Sequence, residues 1–151
     1  MRLVLDAPAG WRIDSSGTWT LLTSPDNQVR VEISPLFAPG QLDPRGVFER
    51  GVAPPASVEY VQLLEDVTTR DGWPLKLATL RVVEGNAERE WRLGGAYTMV
   101  AWVGAVVARV KTRASYDAHR VTLLDLLGSA RPHLRGDEPV CLAELYLRES
   151  P

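Results

Sequence analysis

The 151-residue sequence predicts an α+β fold: one domain built on an antiparallel sheet of about six or more strands, an αβα sandwich. A C-terminal helix and a shorter helix after the fourth strand would pack the sheet. Three observations carry this expectation. The chain opens with short apolar segments separated by Gly, Pro, Asn and Ser turns, the pattern of hairpins. Only one long stretch near the C-terminus has helical periodicity. Between the two, residues 35–56 form a Pro/Gly-rich excursion containing an Asp-Pro helix start at 43–44.

The segment 2–8 is an opening strand ended by Pro8, and 10–14 and 18–24 flank an SSG turn as a hairpin. Trp11, just after a tight Ala9-Gly10 turn, is expected to anchor one end of the core. In 29–34, Val29, Val31 and Ile33 alternate with Arg30 and Glu32, as in a half-buried strand. Asp43 can cap a helix with Pro44 at its first position, running to about Arg50, although Gly46 weakens it. Long strands follow at 58–69 and 74–84, then at 89–102 and 105–113. Ser115 is the expected N-cap of the last helix, and Gly128 with Pro132 its stop. On that helix Tyr116, Leu123, Leu124, Leu126 and Leu127 share one arc, with Val121 at its edge; Ala118, Thr122 and Asp125 lie opposite. The core spans about 2–132, and the tail 133–151 either docks as a strand or short helix or faces a partner.

A net charge of -2 excludes a general electrostatic case for nucleic acid or an anionic membrane surface. No apolar run approaches the roughly 20 residues that span a bilayer. Before Asp6 there is only a three-residue apolar stretch, too short for the core of a signal peptide, so the expected location is cytoplasmic. Of 17 basic residues only Lys76 and Lys111 are lysines. Cys141 is the single cysteine; it lies in an apolar run with no adjacent basic residue and is expected to be a small buried hydrophobe.

No catalytic signature is present: HExxH, GxSxG, a Walker loop, GxGxxG and CxxC are all missing. His119 and His133 have no further ligands marked out for a metal, so no metal site, catalytic residue or cofactor is assigned. Glu65 and Asp66 should point to opposite faces of their strand. Glu88 and Glu90 can share a face, with Arg89 and Arg92 nearby, and Asp137-Glu138 belong to a loop.

Two features remain as candidate sites. Arg120 projects near the middle of the helix's apolar arc, either snorkelling to solvent or holding a carboxylate from a ligand or partner. The last hairpin is the second. With Val103-Gly104 as its turn, Trp102 faces Ala105 and Val100 faces Val107. One face then carries Tyr97, Met99, Ala101, Val106, Ala108 and Val110, ready for the terminal helix. The other carries Val100, Trp102 and Val107 near the turn and Thr98, Arg109 and Lys111 farther along. Either the 43–50 helix covers this second face, or it is an exposed aromatic patch with a basic rim that takes a protein partner. A homodimer is compatible with either.

The order of these parts has a likeness. Pro8, Gly10 and Trp11 in a PxGW pattern precede a small hairpin and the Val29-Val31-Ile33 strand. Downstream come DGWPLKLATLRV at 71–82, paired strands, and LLDLLGSARP closing at Pro132. This order resembles the PsbP/DcrB-like α/β sandwich superfamily, which includes a yeast nuclear-transport factor that binds the GTPase Ran. The resemblance covers about residues 2–132 and lies in element order rather than in a residue-by-residue motif. It implies a non-catalytic binding module, an adaptor or chaperone for a protein partner, secretion-associated if similar to the DcrB-like effector chaperones. The alternative is a small-ligand-binding protein or an enzyme without readable motifs that holds an anion on an arginine.

Overall fold

The computed structural model describes residues 2–49, 57–133 and 144–149. Cys141 and Asp137-Glu138 lie outside them. Seven strands form one antiparallel sheet: β2 (Arg12–Asp14), β3 (Thr20–Thr23), β4 (Val29–Ile33), β5 (Ser57–Thr68), β6 (Pro74–Glu84), β7 (Ala87–Met99) and β8 (Trp102–Val110), in the spatial order β2-β3-β4-β8-β7-β6-β5. Helix α1 (Pro44–Glu49) lies on one face, and α2 (Arg113–Gly128) lies on the other. The expected α+β sandwich is the observed one.

The α2 face holds the larger core. Val29, Val31, Leu93, Tyr97, Met99, Val106 and Val110 meet Tyr116, Leu123, Leu126 and Leu127 of the helix. Trp11 is buried in this cluster, immediately after Gly10 at φ 80°, so it closes one end of the core as expected. On the opposite face Val47 and Phe48 of α1 pack on Ala78, Leu80, Ala96, Ala105 and Val107. Both helices press on the same place in β7. A β-carbon on Gly94 would meet the Phe48 ring, and one on Gly95 would lie 2.9 Å from Leu127 Cδ2. Consecutive strand residues point to opposite faces, so this glycine pair lets both layers approach the sheet closely.

The Asp43-Pro44 helix start is present, with the Val47 N–H bonded to the Asp43 carbonyl at 3.0 Å. A β-carbon on Gly46 would lie 2.8 Å from Asp43 Oδ2. Glycine there makes room for the carboxylate over the first turn.

Three local expectations are corrected. The N-cap of α2 is Thr112, whose hydroxyl accepts from the Ser115 N–H at 3.1 Å, because β8 ends at Val110 and leaves no strand up to 113. The opening strand β1 (Arg2–Ala7) is outside the main sheet. It pairs antiparallel with β9 (Arg131–His133) and parallel with β10 (Glu144–Glu149), so part of the tail docks as a strand. Leu3, Leu5 and Ala7 nevertheless face the α2 core, and the Asp6 N–H donates to Ser129 Oγ at 2.9 Å.

The third correction concerns the last hairpin. Its turn is Val100-Ala101, three residues before the expected place, so that Met99 faces Trp102 and Trp91 faces Val110. Val100 adopts φ 54°, unusual for a β-branched residue. The glycine that suggested a turn at 104 has another use. A β-carbon there would lie 3.0 Å from Leu36 Cδ2, in the chain segment that pairs antiparallel with β8 at the Phe37–Val103 bridge.

Candidate functional site

Because the turn moves by three residues, Trp102 becomes the first residue of β8 and changes faces. It packs, half-buried, against the α2 core, not beside Val107. Val100 is exposed in the turn itself. Val107 is buried beneath α1. Arg109 donates to Glu90 at 2.9 Å and to Glu32 at 3.1 Å, and Lys111 is exposed beyond the strand end. The structure therefore does not bring these five residues together as one patch. Helix α1 covers the far face of the hairpin and makes it the sandwich's second layer.

That layer carries a row of charge. Arg30, Arg109 and Arg92 face one another across β4, β8 and β7. Three guanidinium groups side by side require counter-charge, and Glu32 and Glu90 supply it. Glu90 bridges Arg92 at 2.5 Å and Arg109 at 2.9 Å, and Glu32 accepts from Arg109 and lies 3.5 Å from Arg30. Burial works against the charge of Arg109, but Glu90 and then Glu32 hold its pKa above the ordinary value. Arg92 is 1% exposed and also donates to the Phe48 carbonyl at 3.0 Å, tying α1 to the sheet. This is a structural network, not an open site.

Glu88 and Glu90, expected on one face, lie on opposite faces because the β6–β7 register shifts between Val82 and Val83. Glu88 turns to the α2 side, where the Trp91 indole N–H donates to it at 3.2 Å and Arg81 at 2.9 Å; the indole and then Arg81 hold its carboxyl below the usual range.

An open groove of about 380 Å³ lies on this same face, between the first half of α2 and the outer strands. Its floor is aromatic. Trp91 and Tyr116 stack at 5.2 Å between ring centroids, and the Tyr116 and Thr79 hydroxyls are 3.2 Å apart. Arg113 sits 5.4 Å over the Trp91 ring and 4.0 Å from Asp117. Arg120 follows Asp117 and Tyr116 on the same side of the helix and completes that wall. It is exposed, and among the described residues its guanidinium has no hydrogen-bond or ion-pair partner.

The other wall is Val61 and Gln62 of β5. Neighbouring residues of a regular strand cannot face the same side. They do so here because the β5–β6 ladder shifts between Tyr60 and Gln62, and again between Gln62 and Glu65. The sheet order leaves β5 with β6 on one side and no described strand on the other. Val61 is 54% exposed and Leu64 39%. Arg120 was found from the sequence; Val61, Trp91 and Tyr116 were not singled out as a site. The signal for Val61 was the break in alternation at Tyr60-Val61 and Leu63-Leu64.

His119 lies at the other side of the helix, 2.9 Å from Asp26 Oδ2 and edge-on to Trp11. Among the described residues no group of three His, Cys, Asp or Glu side chains is placed to hold a metal ion. Among the same residues no helix is long and apolar enough to cross a membrane.

Comparison of the coordinates with solved structures decides the fold. The solution structure of cyanobacterial PsbP (CyanoP) from Synechocystis sp. PCC 6803 superposes with a TM-score of 0.60, covering 84% of each chain at 14% identity. The fold is PsbP-like. At that identity the likeness shows the architecture alone. No protein-family model matches the sequence, and no curated protein matches it.

Proposed function

We propose that this chain is a non-catalytic binding module for a protein partner, an adaptor or chaperone, and that the partner docks in the groove between β5 and α2. The observation that carries the reading is exposed apolar surface on the outer strand of the main sheet. Val61 and Leu64 project from β5, and Val121, 69% exposed, stands one turn beyond Asp117 on the facing helix. Edge strands of soluble proteins are normally blunted by charge or covered. Large apolar residues left exposed on such an edge favour a surface that is covered part of the time. The aromatic floor, and Arg120 with no partner among the described residues, add the features of a binding hot spot.

The element order resembles that of the PsbP/DcrB-like superfamily, one DcrB-like branch of which is similar to bacterial effector chaperones. That likeness suggests a finer form of the proposal, in which the client is a secreted effector. A small-ligand role, with Arg120 holding an anion, is the competing reading of the same groove.

Affinity purification from the native host separates the two. Wild type is compared with Val61→Asp and with Ile13→Asp, a control at β2, the opposite edge of the sheet. A partner protein retained by wild type and Ile13→Asp, lost by Val61→Asp and rebinding in purified form supports docking at β5. Equal recovery by all three proteins contradicts it.

A further inference from the structure

Resting on that reading, the chemistry of the partner segment can be specified. We infer that the groove takes an extended peptide segment that adds to the outer edge of β5 and seats an acidic side chain on Arg120.

Three observations combine. First, β5 is 12 residues long and no described strand pairs with its outer side, so a strand added there would be the eighth of the main sheet and would meet its edge N–H and C=O groups. Adding a strand satisfies them, and alternate side chains of the added segment then fall on the α2 face. Second, the irregularities at Tyr60/Gln62 and Gln62/Glu65 turn Val61 into the groove and leave it and Leu64 exposed, giving apolar contacts for the added strand. Third, the charges that line the groove are Arg113, Arg120 and Asp117, a net positive set. Arg113 is engaged by Asp117 and the Trp91 ring. Arg120 alone among them has no described partner, and a guanidinium pairs best with a carboxylate in a two-point contact.

A basic segment would face Arg113 and Arg120 together, and an apolar one would leave Arg120 unmatched. An acidic residue between β-branched neighbours fits both the charge and the strand-forming edge.

The test uses the full chain, isotopically labelled, with three blocked peptides as probes: Ac-Val-Thr-Val-Glu-Val-Thr-Val-amide and the same peptide with Gln or Lys at the centre. Binding is read from backbone amide shifts along β5 and from the Arg120 side-chain signal. The Glu peptide is expected to shift both and to bind about tenfold or more tightly than the Gln peptide, as for a hydrogen bond to a charged group. Arg120→Gln should remove that preference and leave binding of the Gln peptide unchanged. Both substitutions, Arg120→Gln and Val61→Asp, fall at exposed positions, and thermal unfolding verifies that each variant folds. Equal binding of all three peptides, still abolished by Val61→Asp, overturns the acidic preference while docking at β5 stands. No shift along β5 with any peptide overturns both. Glutarate binding at Arg120 as tightly as the Glu peptide overturns the extended segment in favour of a small anion.

Discussion

Phe48 Cδ1 lies 2.5 Å from the point where Gly94 would carry a β-carbon. The ring is fully buried and belongs to a six-residue helix, too short to hold itself together in water. Packing on the glycine, with the Arg92 bond to the Phe48 carbonyl, is what fixes α1 and seals the far face of the last hairpin. Gly94→Ala should therefore destabilise the fold by about 1–3 kcal/mol through overpacking. Gly94→Ala and Phe48→Ala together should cost less than the sum of the two. Urea unfolding of the two single variants and the double variant checks this; strict additivity would show that the contact does not limit packing.

Glu90 holds two arginines at once. Its removal leaves Arg92 and Arg109 facing each other across the strands with one carboxylate fewer. Breaking a buried ion pair from one side costs about 3–5 kcal/mol, so Glu90→Ala is expected near the lower end, since Arg92 keeps the Phe48 carbonyl. Arg30→Ala, at the exposed end of the same row, should stay within about 0.5 kcal/mol. Similar losses for both variants would remove the distinction between the buried and solvated ends of the network.

Asp26 ties the β3–β4 turn to α2. Its carboxylate accepts from the Ser24 hydroxyl at 2.6 Å and the Gln28 N–H at 3.0 Å and meets His119 at 2.9 Å. These contacts, Ser24 foremost, lower its pKa from the usual 3.8 to about 2. A depressed carboxyl pKa means the folded state binds the proton less readily than the unfolded chain. The resulting stabilisation is complete above about pH 4 and is lost as pH falls through 3.8 toward 2. Thermal unfolding from pH 2 to 6 should show wild type more stable than Asp26→Asn at the upper end and the gap closing at the lower. A gap independent of pH would contradict the assignment.

Trp102 looked from the sequence like the centre of a binding patch. Its place in β8 against the core predicts a stability effect instead: Trp102→Asp should cost about 3 kcal/mol by loss of packing and by placing a carboxylate in a half-apolar site. Loss of partner binding in that variant, without unfolding, would return the surface to the last hairpin.

Much of the fold was legible because it depends on local pattern. The Val29-Val31-Ile33 alternation, the Asp43-Pro44 start and the leucine arc of the last helix each produce the element expected. The failures involve residues whose role is set by distant neighbours. Gly104 looks like a turn residue until Leu36 is seen against it, and Ser115 looks like a cap until β8 is seen to stop at Val110. Pairing of β1 with β9 and β10 joins the two ends of the chain, which no local window contains. Arg120 was conspicuous because it interrupts an apolar arc. The arc is interrupted where the helix leaves the outer strands uncovered, so the anomaly marked the groove. Its other wall stayed hidden, because a strand irregularity, not the alternation itself, aims Val61 into it.

The most direct measurement places a photo-crosslinking amino acid at Val61 or at Ile13 in the full chain within its native host and identifies the adducts. Docking at β5 predicts one dominant protein adduct from Val61, mapped to an extended segment of the partner, and none of that protein from Ile13. The same adduct from both positions, or from Ile13 alone, would contradict the groove as the partner's surface.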